Sequence, residues 1–276
     1  MMGANSGGMR RVRFKTEYGN TRTGTWNDDG IHFGDQIYNP DEVDILPPAD
    51  PSKIICVGIN FEDHMEEVGM NPEILYDKID TGEINPVPVI FIKGPNAIAA
   101  HQDVIRVPEN KDRIDHELEL AIIIGEQCKD VSADKALDKV AGYSCGNDIS
   151  NRDDGLFNLD GRWIDFFRGK AFDNAAPVGP VMVPPDSIPG NADMELRVNG
   201  EVRQKTTMDK MIFGVPEIIE EITKFVTLEP GDIILGGTPG NVAEEFSEIK
   251  PLKNDDIVEI EIEGIGVLSN ELKMES

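Results

Sequence analysis

The sequence predicts an α+β chain, predominantly β, in which a small amino-terminal β unit precedes a larger body. Three observations point there. Apolar runs of strand length recur along the chain, short alternating segments near its start are punctuated by turn residues, and stretches with helical period are few. Strands do not alternate regularly with helices, so a doubly wound parallel sheet is not expected.

The first eight residues, rich in Gly, Ser and Asn, are expected to be disordered, and Met9 is a candidate start of translation. From Arg11 to about Tyr38, segments such as RRVRF and GTW are broken by Gly and by Asn-Asp-Asp-Gly, the pattern of hairpin strands. The prolines of LPPADPS, Leu46 to Ser52, stiffen a linker. The chain is thereby divided into residues 1–8, a small β domain with its linker over 9–50, and a main domain over 51–276. Within the last, strands are predicted over Ile54 to Ile59, Val89 to Ile92, Leu120 to Ile124, Ile233 to Leu235 and Ile257 to Ile262. Helices are predicted over Ala133 to Val140 and Pro216 to Phe225, where Pro216 suits a first turn.

A chain of 276 residues can bury a sizeable core without staples. Its three cysteines, Cys56, Cys128 and Cys145, form neither a disulfide framework nor a zinc-like cluster. The amino terminus lacks the apolar run of a secretory signal, and no window approaches a membrane span, so a cytoplasmic protein without a membrane partner is expected. Asp and Glu number 52 against 26 Lys and Arg, a formal charge of −26. Such a field repels phosphates, and no nucleic-acid partner is expected. The acids are spread along the chain, as on a solvated folded surface. That surface fits a salt-rich cytosol, where screening relieves self-repulsion, although acidic enzymes of ordinary habitats share it.

In HELELAIIIG, Glu117 and Glu119 stand two apart at the entrance to an apolar strand, so both leave one face while Leu118 and Leu120 leave the other. Their Cα atoms are then roughly 7 Å apart. Two carboxylates converging on a buried site stay ionised cheaply only with a cation between them. A third acid, Asp148 in GYSCGNDIS, follows a short apolar segment able to return alongside that strand. Oxygen ligands of this kind suit Mg2+ or Mn2+. Taken alone, in so acidic a chain, a Glu-x-Glu pair reads first as the solvated face of a strand.

The runs VGINFEDHMEE, DHELELAIIIG, GYSCGNDISNRD, FRGKAFD, LEPGDIILGGTPG and VEIEIEGIG resemble, in order and separation, the motifs of the fumarylacetoacetate hydrolase family. The resemblance spans roughly residues 51 to 273 and leans towards the branch of acylpyruvases and 2-hydroxyhepta-2,4-diene-1,7-dioate isomerases. It implies a mixed β-sandwich roll, a small β domain ahead of it and a homodimer.

Carried over residue by residue, the resemblance makes Glu117, Glu119 and Asp148 the ligands of one Mg2+ or Mn2+ per subunit. Lys170 corresponds to a lysine beside the metal that contacts substrate or a ligand carboxylate. Thr238 matches a threonine that helps hold the substrate carboxylate, and the glycines around it allow backbone N–H groups to approach an anion. Without the family, Lys170 reads as a surface lysine and GGTPG as a plain tight turn. His64 and Glu67, three apart on one side of a helical turn, fall where hydrolytic members carry a water-activating dyad; such pairs also decorate helix surfaces. Arg152 corresponds to an arginine near the active site, although Asn151 departs from the usual alanine.

Gly142-Tyr-Ser144-Cys-Gly146 matches the GxSxG nucleophile elbow, yet all four histidines precede Ser144, the reverse of the order that fold requires. No HExxH, GxxxxGK[ST] or GxGxxG pattern is present. The family reading therefore expects metal-dependent C–C hydrolysis of an acylpyruvate-like 2-oxo acid. Isomerisation, tautomerisation or decarboxylation of a related diacid such as oxaloacetate shares the same enolate and is the alternative. A non-catalytic ligand-binding homologue is the remaining one. Substrate-reading residues are expected in Met70 to Asn85 and Gly155 to Phe167, with a mobile cover over Asp153 to Trp163.

Overall fold

A computed structural model describes residues 9–73, 78, 81–82, 86–108, 110–153, 165–241 and 250–275. The expected disordered start, the expected cover and most of the two expected substrate-reading stretches lie outside the described residues.

The chain opens as the turn chemistry predicts. Strands β1 (Arg11–Lys15), β2 (Thr21–Asn27), β3 (Gly30–Phe33) and β4 (Gln36–Tyr38) follow one another as antiparallel neighbours. Gly30, with φ of 132°, closes the β2–β3 hairpin where an added Cβ would come 2.7 Å from the Tyr38 carbonyl oxygen. β5 (Asp44–Leu46) returns to pair with β1, and Val12, Phe14, Ile31 and Ile45 are buried.

The main body continues with β6 (Ile54–Gly58), α1 (Glu62–Glu67), β7 (Val89–Lys93), β8 (Ile98–Ala99), β9 (Val104–Pro108), β10 (Ile114–Asp115) and β11 (Leu118–Ile124). Next come α2 (Ala133–Ala136), β12 (Val140–Asn147), β13 (Ser150–Asn151), α3 (Phe166–Lys170), β14 (Ala176–Val183), β15 (Asp193–Val198) and β16 (Glu201–Thr207). The chain ends with α4 (Val215–Phe225), β17 (Ile233–Leu235), β18 (Ile257–Ile262) and β19 (Gly266–Glu275).

Two large sheets carry the architecture. A twelve-stranded mixed sheet runs β4-β3-β2-β1-β14-β12-β11-β17-β6-β7, with β5 beside β1 and β8 beside β14. The amino-terminal strands thus join the main sheet through β1 and β14, where Arg11 faces Met182. A five-stranded sheet, β16-β15-β18-β19-β9, packs over it, with β18 and β19 against β12 and β19 against β14. Every residue of β11 is buried, which explains its near-continuous apolar run between β12 and β17. Each of its isoleucines contributes about 1.5–3 kcal/mol by leaving water. Helix α4 buries Val215, Ile218, Ile219 and Ile222 at helical spacing, and Pro216 occupies its first turn as predicted.

Two expectations need correction, and one strand is new. The helix foreseen over Ala133 to Val140 is α-helical only to Ala136; a 3-10 turn follows, and Val140 is claimed by the β11–β12 ladder opposite Ile124. The strand expected over Ile54 to Ile59 stops at Gly58, because Ile59 has a φ of 55°. β14, which is buried throughout, carries no expectation from the sequence; its two prolines and Gly179 are residues that ordinarily weaken a strand interior. No described helix is long and apolar enough to cross a membrane.

Candidate active site and metal centre

The carboxylates converge because of strand register. Leu118 pairs with Asn147 and Glu119 with Gly146, so Asp148, one residue past the end of β12, comes beside Glu117. The Asp148 N–H donates to the Glu117 carbonyl at 3.1 Å, and the Asn147 side chain accepts the Glu117 N–H at 3.0 Å. One oxygen from each of Glu117, Glu119 and Asp148 lies within 4.8 Å of the others, and all three residues are buried. At Gly146 an added Cβ would come 2.6 Å from the tip of the Leu235 side chain, which would have to shift.

Buried cations balance most of this charge. Lys170, delivered by α3, donates to Glu117 Oε2 and Asp148 Oδ2, each at 2.7 Å. Arg152 donates from Nη2 to Glu117 Oε1 at 2.6 Å and to Asp115 Oδ2 at 2.8 Å. Burial opposes the charge of Lys170, but Asp148 and Glu117 outweigh it and hold the ammonium protonated beyond the ordinary lysine range. Burial also opposes ionisation of Glu117; Lys170 and Arg152 overcome it and bring the carboxyl down to about 2. Glu119 is less well served, because Lys170 acts on it more weakly than its two acidic neighbours do. It accepts the Gly237 N–H at 2.7 Å and makes no ion pair among the described residues. Burial first, then Asp148 and Glu117, push its carboxyl well above the usual range.

That imbalance tests the metal. Three hard oxygen donors within reach of one ion, one of them buried without an ion pair among the described residues, fit a divalent cation of the Mg2+ or Mn2+ type.

A cavity of about 140 Å3 opens above the cluster. Glu117, Glu119, Arg152, Lys170, Thr238 and His64 form its polar lining, and Val57, Ile59, Val68, Val89, Phe91 and Phe166 its apolar wall. Six of the eight residues singled out in the sequence therefore line one space. Asp148 lies beneath it, tied to Lys170 and Lys93. Glu67 stands behind His64: its Oε2 is 3.6 Å from His64 Nδ1, an ion-pair separation rather than a hydrogen bond, and its Oε1 accepts the Asn241 N–H at 2.5 Å. The GGTPG turn does direct an N–H at an anion, but that anion is Glu119. Gly237, with φ of 97°, would set a Cβ 2.5 Å from Asn60.

The motifs did not single out Lys93. It is fully buried at the end of β7, ion-paired to Asp148 Oδ1 at 2.5 Å and donating to the Ile149 and Ala175 carbonyls. Its signal was a lysine closing an apolar strand, VIFIK. Ser150, donating to Glu117 Oε1, and Gln204, donating to Thr238, were also missed. Ser144 lies inside β12, buried, and donates to the Val181 carbonyl at 2.8 Å. It occupies no strand-to-helix elbow, as the histidine order required.

Residues 53–273 match the family described as fumarylacetoacetate (FAA) hydrolase, C-terminal. The oxaloacetate tautomerase YisK of Bacillus subtilis is 39% identical over 245 residues, 87% of this chain and 76% of that protein. The crystal structure of a 2-hydroxyhepta-2,4-diene-1,7-dioate isomerase from Mycobacterium marinum superimposes with a TM-score of 0.77 at 33% identity, covering 97% of this chain and 99% of that one. A fumarylpyruvate hydrolase from Pseudomonas aeruginosa, solved with Mn2+ and pyruvate, gives 0.70 at 27% identity over 89% and 95% of the two chains. The motifs, the mixed-sheet fold and these likenesses agree: the chain is an enzyme of the fumarylacetoacetate hydrolase family.

Proposed function

We propose that this enzyme interconverts the keto and enol forms of a small 2-oxo diacid of the oxaloacetate type, with a divalent cation held by Glu117, Glu119 and Asp148. The observation that carries the reading is the pairing, in one small cavity, of a fixed ammonium on the polar floor with one imidazole on the wall. The cavity is well below the roughly 300–1,000 Å3 of pockets for drug-sized ligands, which suits a metabolite of a few carbons.

Tautomerisation asks for little machinery. His64 takes a proton from the carbon beside the keto group; electrons move into the C–C bond and charge gathers on the keto oxygen. Lys170, kept charged by Glu117 and Asp148, faces that charge, and Thr238 receives a substrate carboxylate. Return of the proton to oxygen completes the enol. When bound, Mg2+ or Mn2+ supplies Lewis-acid polarisation of the carbonyl. Names of relatives support the same class, a tautomerase and an isomerase among them.

C–C hydrolysis of an acylpyruvate is the second reading, favoured by the placement of Glu67 behind His64 on α1. It needs a water activated through that pair, and the 3.6 Å separation leaves the relay to be tightened by substrate. The experiment offers purified protein enol-oxaloacetate and acetylpyruvate, each with Mg2+, with Mn2+ and with chelator. Metal-dependent acceleration of enol absorbance decay without carbon dioxide or pyruvate supports the tautomerase. Pyruvate from acetylpyruvate shifts the assignment to the hydrolase, and carbon dioxide from oxaloacetate to the decarboxylase. Metal binding without turnover of either compound overturns both the tautomerase and the hydrolase readings. We further propose a cytoplasmic homodimer, tested by light scattering, whose acidic surface gains stability as salt shortens the Debye length from about 10 Å at 0.1 M to about 3 Å at 1 M.

A further inference from the structure

Gln204 is a fully buried amide on β16, the edge strand of the five-stranded sheet, yet it reaches across to the other sheet. Its Oε1 accepts the Leu118 N–H at 2.8 Å, between Glu117 and Glu119. Its Nε2 donates to Thr238 Oγ1 at 2.9 Å and to the carbonyls of Pro239 and Gly240 at 3.0 and 3.2 Å. Burying an amide is costly unless each polar atom is satisfied, and here all of them are.

These partners leave one orientation of the amide. A backbone N–H only donates and a carbonyl only accepts, so Oε1 must face Leu118 and the NH2 must face the 238–240 turn. Thr238 Oγ1 is then an acceptor from Gln204. The hydroxyl has one proton, and it makes no donated hydrogen bond among the described residues, while Thr238 lines the cavity.

We infer that Gln204 is a positioning residue which holds the Thr238 hydroxyl as a donor towards the substrate carboxylate. The inference rests on the reading above that Thr238 receives that carboxylate. A rotatable hydroxyl in water samples many directions; one whose oxygen accepts from a fixed amide has that direction closed to its proton, which stays free to donate to an anion in the cavity.

The test is a double-mutant cycle of Gln204→Met and Thr238→Val, read by calorimetric binding of pyruvate to Mn2+-loaded protein and, separately, of Mn2+ alone. Each single substitution is expected to weaken pyruvate about tenfold, the worth of one hydrogen bond to a charged group. The double variant should be within about twofold of Thr238→Val, with Mn2+ affinity within about threefold throughout. Unchanged pyruvate binding in Thr238→Val removes the reading of Thr238, and the inference with it. If Thr238→Val weakens binding but Gln204→Met does not, or the two effects add, the inference falls and the reading of Thr238 stands. A parallel loss of Mn2+ affinity in Gln204→Met makes Gln204 a structural spacer and overturns the inference. Should Gln204→Met fail to fold, Gln204→Asn, one methylene too short to span both partners, enters the same cycle with the same expectations.

Discussion

Replacing Glu119 with glutamine should abolish metal binding and yet stabilise the metal-free protein. The carboxylate is buried, makes no ion pair among the described residues and stands beside Asp148 and Glu117, whose charges outweigh the nearby Lys170. An amide of the same shape keeps an oxygen for the Gly237 N–H and presents an NH2 towards the neighbouring carboxylates. Relief of one poorly compensated buried polar group amounts to about 2 kcal/mol, or about 4 °C in Tm at roughly 2 °C per kcal/mol for a chain of this size. The sign follows from linkage. A carboxyl whose folded pKa is raised stabilises the fold while protonated, and that contribution is lost as pH rises through the folded value. The advantage of Glu119→Gln should therefore be small at acid pH and widen upward. Magnesium at a hundredfold excess over Kd adds about 2.7 kcal/mol to the wild type and nothing to the variant. Scanning calorimetry with chelator and with Mg2+, from pH 5 to pH 8.5, reads both effects. A variant less stable than wild type in chelator at pH 8, or one still raised by Mg2+, refutes the charge imbalance from which the metal was argued.

Lys93→Met has the opposite sign in the same cluster. It strips Asp148 of a buried partner and two carbonyls of a donor, so unfolding should cost about 3–5 kcal/mol less by urea titration; a loss under 1 kcal/mol would show that Asp148 does not depend on it. Asp232, buried at the start of β17, is pushed up by burial but held below the usual carboxylate range by Lys53, the Glu229 N–H and Ser52. A depressed folded pKa contributes stability above the ordinary range that fades as pH falls, so Asp232→Asn should lose about 2 kcal/mol at pH 7 and little at pH 3; equal losses at both would remove its charge from the account. Ser144→Ala should lose about 1 kcal/mol with its bond to Val181 and leave turnover intact, and a tenfold fall in rate would revive a serine nucleophile.

Legibility varied with the range over which each signal acts. The pairing of Glu117 with Glu119 was readable because strand period alone puts both on one face, and α4 because four apolar residues repeat at helical spacing. Asp148 was assigned through the family motif; the sequence itself held no statement of the register that brings it to Glu117. Lys93 and Gln204 were hidden for the same reason. A lysine ending VIFIK and a glutamine in EVRQKTT both look like surface residues, and only contacts 34 to 86 positions away make them interior ones. β14 was masked by two prolines, which ordinarily argue against a central strand. The hydrolase was favoured from His64 and Glu67, whereas the relatives weigh towards tautomerase and isomerase, a difference of substrate handling that the shared residues do not encode.

The pairing of Leu118 with Asn147 has a further consequence for how the protein comes into being. A slip of one residue between β11 and β12 would turn every side chain of the slipped strand to the opposite face. Asp148 would part from Glu117, and the glutamates would trade places with leucines that now fill the core. The register that pairs these strands is thus the register that gathers the three carboxylates, so an ion held by all three would report correct strand pairing.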